Sequence, residues 1–392
     1  MRNRADTSAF NEWWWTVDRF AIALILTLMF GGLVLAFAAS PPIAADLNIA
    51  DPYHFVKRQA IFLVPAIILM IGVSFLSPKH VRRGALLMLL LGLAMLAVVP
   101  FVGDEVKGAR RWISIAGFSV QPSEFVKPAF VVMIAWFFSQ SAKSPESHGN
   151  LMAIGLLGLV VSLLVIQPDI GQTMLIAMVW CALFFLAGMS WLWVGGLGAA
   201  GVIGLILAYL TVPHVAKRVD SFLNPDQHDS FQAERAIDSI TSGGWLGKGP
   251  GEGTVKDNLP DAHTDYIFAV AAEEYGVIIC MVLVALFAAI VIRLLVRASQ
   301  EPDTFMRLGA SGLVILFGLQ SCINMAVNLR MVPAKGMTLP FVSYGGSSLL
   351  SLALGMGFLL ALTRRRSRSK KTLKPITFEE IDPSVVTGEV VR

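Results

Sequence analysis

Long apolar runs broken by short polar stretches repeat along the whole chain. Ten of them stand near 18–40, 59–77, 83–101, 122–141, 151–167, 170–189, 191–212, 266–296, 307–329 and 343–363. Each is close to the roughly 20 residues that a helix needs to cross a bilayer core about 30 Å thick. The short alternating segments of an outer-membrane barrel are absent. The pattern predicts an all-α polytopic membrane protein with ten transmembrane helices. An even number returns both termini to one side. Lys79, Arg82 and Arg83, then Arg293, Arg297 and Arg307, then the basic run from Arg364 to Lys371 make that side the cytoplasm, since cytoplasmic loops carry the excess of Lys and Arg.

Three parts follow from this reading. Residues 1–17 form a cytoplasmic N-terminal segment, 18–363 the membrane domain, and 364–392 a basic tail without apolar periodicity, expected to be disordered in the cytoplasm. The one long interruption, 213–263, is a large extracytoplasmic loop between the seventh and eighth helices. Its glycine-rich run from Gly243 to Gly253 has no Gly-Lys-Ser/Thr and no helix opening after it, so it is not a phosphate loop. A flexible, turn-rich segment folding back over the membrane surface is expected instead.

Composition agrees with a membrane class: 55% of the residues are hydrophobic and 15% charged, with mean hydropathy +0.68. The net charge of +4 does not indicate nucleic acid, because the basic residues form no folded basic face. A positive-inside stop and attraction to anionic membrane lipids account for the densest basic run. Cys181, Cys280 and Cys322 all fall in apolar spans and read as small buried hydrophobes. The first span follows Arg2, Arg4 and Trp13-Trp14-Trp15 without a cleavage site, which makes it a retained helix with tryptophans at the headgroups.

The chemistry lies in the polar residues that interrupt this pattern. Asp265, Glu273 and Glu274 stand at the head of the eighth span. Each ionised centre in a membrane costs roughly 2.5 to 3.5 kcal/mol on insertion scales, which points to a polar cavity. Pro122 marks the mouth of the fourth span, just after Arg110, Arg111 and Trp112. Glu124 and Lys127, three apart, either neutralise each other or form one wall of that cavity, with Lys127 available to a phosphate. Ser123 lies between the proline and Glu124. Asp169, in the break Gln167-Pro168-Asp169, reads first as a helix cap.

Lys107, Arg110 and Arg111, then Lys217 and Arg218, then Arg330 and Lys335 break the charge rule on the outer side. Anion binding is one reason for them; a net bias that tolerates a few misplaced cations is the other. Around the last outer loop, Asn324, Asn328, Ser343, Gly345, Gly346, Ser347 and Ser348 suit either a headgroup lining or close helix contact. The glycines Gly195, Gly196, Gly198 and Gly201 of the seventh span suit close helix contact. His263 has no second ligand at zinc spacing and is expected to position the Asp265 turn.

Taken together, Gly108-Ala-Arg-Arg-Trp112, Gln121-Pro-Ser-Glu-Phe-Val-Lys127, Gln167-Pro-Asp-Ile-Gly171, Leu259-Pro-Asp-Ala-His-Thr-Asp265 and Pro333 through Ser348 resemble the SEDS family (shape, elongation, division and sporulation). The likeness runs in order from about residue 18 to 363 and is nearest to the division member, with the elongation member a close relative. It implies a peptidoglycan glycosyltransferase in the bacterial inner membrane, polymerising lipid II onto an undecaprenyl-linked nascent glycan at the division septum. It places the catalytic role on Asp265, for which the chemistry of a sugar hydroxyl attack calls for a general base, and cavity roles on Trp112, Glu124 and Lys127. It also implies a divalent cation, magnesium or manganese, with unknown ligands, and a class B penicillin-binding protein and other division proteins as partners. From the residues, Arg110, Arg111, Ser123, His263, Arg330, Lys335 and Ser343 complete the candidate substrate-binding set. Two other readings stay open: a flippase for lipid II, supported by Glu124 and Lys127 as a path lining, and a non-enzymatic scaffold, which needs no buried acids.

Overall fold

The fold was taken from a computed structural model that describes residues 8–365, apart from 107–108, 116, 145, 189–190, 212–215, 217–219, 221–230 and 334–335. A helix occupies each predicted apolar run: α2 Arg19–Asp46, α3 His54–Ser74, α4 Pro78–Val102, α5 Pro122–Lys143, α6 Gly149–Ile166, α7 Ile170–Leu186, α8 Trp191–Thr211, α10 Ile267–Ser299, α11 Thr304–Asn328 and α12 Gly346–Leu362. Two further helices lie outside these runs, the tryptophan-rich α1 Ala9–Thr16 and the polar α9 Phe231–Gly243. Among the described residues, seven of these helices are long and apolar enough to cross a membrane, and α7 and α12 are shorter apolar helices. The chain is a multi-pass membrane protein.

The centre of the bundle is set by α5 and α11. In their most apolar stretches 67% and 61% of residues are buried, against at most 39% in the other five spans. Burial by protein rather than by lipid needs close approach, and small residues supply it. A Cβ on Gly312 would stand 2.7 Å from Val131, and one on Gly355 3.3 Å from Pro128. The glycines of α8 do not behave this way. A Cβ on Gly195, Gly196, Gly198 or Gly201 would meet nothing within 4 Å, so the expected close contact is not made within the described residues.

The fold departs from a purely helical one between α4 and α5. Three antiparallel strands, β1 Asp104–Val106, β2 Ala109–Ile115 and β3 Phe118–Val120, form a sheet in that order. Gly117, with φ +82°, sits in the turn between β2 and β3, the conformation that suits glycine in a short hairpin. The period-two run Arg111, Ile113, Ile115 is the local signal for β2, in a segment short enough to pass for a connector.

At the end of the bundle that carries Arg293 and Arg297, α1 and the start of α2 are pinned. Trp13 is buried, stacks on Phe75 at 4.7 Å and donates from Nε1 to Ser74 Oγ at 2.8 Å, while Trp14 and Trp15 remain exposed as a headgroup belt requires. Asp18 caps α2 through the Ala21 amide and pairs with Arg293 at 2.9 Å and Arg297 at 2.8 Å. Burial pushes its carboxyl up, but the Arg293 hydrogen bond, the Ala21 amide and the Arg297 charge hold it below the usual carboxylate value. Its contribution is therefore present at neutral pH and lost only as pH falls through that lowered value.

The long α10 is interrupted at Gly276, whose φ of +83° and ψ of 171° are not helical. The break is filled by the glycine-rich run, which is a fixed wedge rather than a loose flap. Lys248 N donates to Glu273 O at 2.8 Å and Gly249 N to Glu274 O at 3.0 Å; Gly244 O and Trp245 O accept from Val277 N and Ile278 N at 3.0 and 3.3 Å. The side chains below the break lock the same loop. Glu273 accepts from the amides of Thr254, Val255 and Lys256, each at 2.8 Å, and from Ser239 Oγ at 2.7 Å. Lys256 Nζ pairs with Glu274 and donates to Ala38 O of α2 at 3.0 Å. Only a glycine fits at Gly276, because a Cβ would lie 2.3 Å from Trp245 O. Gly276→Ala is expected to destabilise the protein by about 3 kcal/mol or more, from a backbone region closed to other residues plus that clash. A melting temperature in detergent equal to that of the wild type would contradict the wedge.

Candidate active site

Asp265 is carried by a tight turn between the wedge and α10. Asp261, itself at φ +57°, has a carbonyl that accepts from the amides of Thr264 and Asp265, both at 3.0 Å. The main-chain carbonyl of Asp265 then accepts from Nδ2 of both Asn324 and Asn328 at 2.9 Å. Asn328 Oδ1 receives the Ala269 amide at 3.1 Å, and Asn324 Nδ2 also donates to Met337 O at 2.6 Å. Gln320, one turn earlier on α11, donates to Thr338 O at 3.2 Å. Three amide side chains four residues apart share one helix face and hold two loops against it. The last outer loop is stitched to the first: Tyr344 N donates to His263 O at 2.9 Å, and Ser343 Oγ donates to Thr264 O while accepting the Leu339 amide at 2.8 Å.

These loops, the sheet and the outer end of α3 enclose a cavity of about 1020 Å³, in which Asp265, His263, Arg330, Arg111, Trp112 and Glu124 are all lining residues. The volume sits at the upper end of ordinary ligand cavities. The His263 ring lies against Phe55 at 4.5 Å and Tyr344 at 5.4 Å, so ring packing holds it beside Asp265. Arg111 donates from Nε to Gln167 O at 3.1 Å and from its terminal nitrogen to Pro168 O at 2.5 Å. That ties the sheet to the break before α7, where Asp169 caps the helix through the Gln172 amide. Burial raises the Asp169 carboxyl; the Arg111 charge and the Gln172 amide oppose the rise.

Other residues that the sequence puts in the candidate set stand elsewhere. Lys127 is 2% exposed and does not line the cavity; its ammonium is bonded to Glu124 Oε1 at 2.8 Å and Gln320 Oε1 at 3.0 Å. Three residues of helix carry it inward past the mouth. Arg110 alternates to the outer face of β2, exposed and 3.6 Å from Glu105. Ser123 is buried behind the mouth, and Ser343 is used up between Thr264 and Leu339. Lys335 lies outside the described residues, as do Lys107, Lys217, Arg218 and most of the tail. Glu273 and Glu274 hold the wedge, so of the three acids at the head of the eighth span only Asp265 reaches the cavity.

Sequence reasoning missed Arg58, which lines the same cavity from α3 beside Phe55 and Phe62. The three share one helical face by their spacing, but a lone arginine near a helix start forms no motif. Among the described residues neither the Arg58 nor the Arg330 side chain has a hydrogen bond or ion pair. No three His, Cys, Asp or Glu side chains gather as a metal site among the described residues. The donors present thus fit no protein-built cage, only a hydrated ion that takes one carboxylate and completes its shell from a substrate's phosphates.

The family model described as cell cycle protein, FtsW/RodA/SpoVE, matches residues 18–368. The chain belongs to this family. It is the SEDS family that the motifs resemble, and its shared region covers every element around the cavity. The chain is similar to a probable peptidoglycan glycosyltransferase FtsW from Caulobacter vibrioides, with 46% identity over 366 residues, 93% of each chain. Among solved structures it is similar to a chain of a peptidoglycan synthase complex that coordinates polymerization and crosslinking, at TM-score 0.75 and 27% identity, covering 88% of this chain and 97% of that one. The rod shape determining protein RodA of Thermus thermophilus matches at TM-score 0.67 and 27% identity, covering 90% and 99%.

The sealed pair gives a stability test. Lys127→Met leaves Glu124 charged and buried and is expected to cost about 3 to 5 kcal/mol, while the double variant with Glu124→Leu recovers most of it. Equal melting temperatures for the single and double variants would show that the two charges are not coupled.

Proposed function

We propose that this chain is the peptidoglycan glycosyltransferase of cell division, polymerising lipid II at the outer face of the cytoplasmic membrane, with ten spans and both termini inside. The observation that carries the reading is the placement of Asp265. A braced turn brings its carboxylate into the wall of a large cavity, where the side chains of Arg58 and Arg330 have no protein partner among the described residues. The identity of 46% to the FtsW relative, against 27% to the RodA structure, supports division over elongation. The likeness to a chain of a synthase complex supports a crosslinking transpeptidase as partner. Septal location follows from the same assignment.

The reaction joins an acceptor sugar hydroxyl to the anomeric carbon of a polyprenyl pyrophosphate-linked sugar. A new glycosidic C–O bond forms, the bond from that carbon to the pyrophosphate oxygen breaks, and the hydroxyl proton passes to Asp265. A general base at hydrogen-bond distance typically contributes about 10² to 10⁴-fold. The departing pyrophosphate needs positive charge where its own charge develops. Arg58 and Arg330 supply it, with Arg111 fixed on the sheet side. Trp112 and the rings packed around His263 offer apolar faces to the sugars. A divalent cation belongs to the same proposal: a cavity carboxylate other than the base, such as Asp104 or Asp261, would hold it, and it would supply charge that neutralises the leaving group. Transport is the weaker reading, because Lys127 is held inside the wall by Glu124 at 2.8 Å and Gln320 at 3.0 Å rather than open to a path.

Asp265→Asn is expected to leave a membrane-inserted protein that melts like the wild type, yet to lower glycan synthesis from purified lipid II about 10² to 10⁴-fold in the presence of its partner. Vesicles in which headgroup exposure and chain length are followed together separate polymerisation from flipping, and a chelator in the same assay tests the cation. Polymer made at the wild-type rate by the variant would remove Asp265 from the reaction. Arg58→Ala and Arg330→Ala should each lower kcat/KM for lipid II about tenfold or more, the loss of one charge-assisted hydrogen bond. A kcat/KM unchanged in both would separate the arginines from the pyrophosphate.

A further inference from the structure

The wedge that fills the break in α10 leaves two large apolar side chains at its tip: Trp245 is 70% exposed and Leu246 79% exposed. Their depth is fixed by backbone bonding. Trp245 O accepts from Ile278 N, and Gly244 O from Val277 N, so the tip cannot stand higher than the first turn after the break. From Ile278 to Arg293, which pairs with Asp18 at the inner rim, the helix rises about 22 Å at 1.5 Å per residue. That is less than the roughly 30 Å of a hydrocarbon core. The tip thus lies several ångströms inside the outer edge of the apolar layer, level with Ile278 and Ile279, which are exposed on the lipid-facing side of α10.

We propose that Gly243–Gly249 is a re-entrant loop whose Trp245 and Leu246 are embedded in the outer leaflet of the bilayer. Non-helical backbone is tolerated at membrane depth only when the protein satisfies it. The wedge meets that condition with four main-chain bonds to α10, and with Gly247 N donating to Gly243 O at 2.9 Å. Tryptophan suits this depth, because its apolar ring and polar N–H match the boundary between tails and headgroups. Lys248 stands at the rim of the same tip, 3.7 Å from Glu273 and one-third exposed, within reach of an anionic headgroup. The alternative occupant, a water-soluble partner domain, would need the tip to stand above the membrane, which the bonds to Val277 and Ile278 prevent. The loop that carries Asp265 begins where this anchor ends, so lipid contact at the tip fixes the height of the turn above it.

The test uses the full chain in lipid nanodiscs. Leu246→Cys, in a background with Cys181, Cys280 and Cys322 replaced by alanine, is labelled with an environment-sensitive fluorophore; Arg110→Cys on the exposed sheet serves as the aqueous control. Nitroxide-tailed lipids should quench the label at 246 about twofold or more while aqueous iodide leaves it unchanged, the behaviour of a group beneath the headgroups, and the control should do the reverse. The unaltered chain provides an independent reading: photoactivatable lipid tails should leave adducts on the peptide containing Trp245 and Leu246. Iodide quenching at 246 like that of the control, or no lipid adduct on that peptide, would overturn the proposal and hand the tip to a protein partner.

Discussion

A polar group below the headgroups has no water to turn to, so every departure from helix at membrane depth must be matched by protein donors and acceptors. This constraint organises the molecule. The break in α10 is closed by main chain from the wedge, atom for atom, and the two glutamates beneath it are consumed in fixing that wedge. The break before α7 is closed by Arg111 donating to two carbonyls. The turn that bears Asp265 is closed by the asparagines of α11. In each case an irregular segment is exact in position because leaving it loose would strand buried polar groups, each costing on the order of 1 to 3 kcal/mol.

The same constraint sorts the charges. Glu124 with Lys127, and Glu274 with Lys256, are sealed pairs, and Glu273 is surrounded by amides. Removing one partner of such a pair costs more than the pair itself contributes, so burial alone makes these residues resist change. Arg58 and Arg330 are different: they border a cavity and have no protein partner among the described residues. Positive charge left open beside a cavity suits an anionic ligand, whereas positive charge already bonded inside the wall does not.

Much of the helical layout could be read from the chain, because apolar runs of membrane length carry a strong and local signal. The cavity was legible in part, since Asp265, Trp112 and Glu124 sit in dense polar motifs. Charge alone could not tell a cavity residue from a sealed one. Lys127 looks like a phosphate ligand until Gln320, nearly two hundred positions away, is seen to occupy it. Arg58 has the opposite history, being isolated in sequence and brought to the site by the packing of α3 against the last outer loop. The glycine-rich run reads as flexible because glycine permits many conformations. Its rigidity arises from a helix break at Gly276, some thirty residues on, that no local pattern announces. The strands escaped for a related reason: their residues lie in a segment short enough to pass for a connector.

These separate closures meet at Asp265. Its amide is held by Asp261 O and its carbonyl by two asparagines, while the neighbouring His263 and Thr264 carbonyls are tied to Tyr344 and Ser343. With the main chain fixed on both sides, the point from which the side chain projects is fixed as well. On the proposed reading of Asp265 as the base, a group already in place does not have to be ordered when substrate arrives, and well-oriented groups can remove several kcal/mol from a barrier on that account. The bracing lies in α11, one of the two most buried of the seven long spans, so its own position is set by protein packing. Catalytic placement on a loop would ordinarily trade accuracy for access; here access comes from the cavity and accuracy from three amide side chains spaced one turn apart on a buried helix.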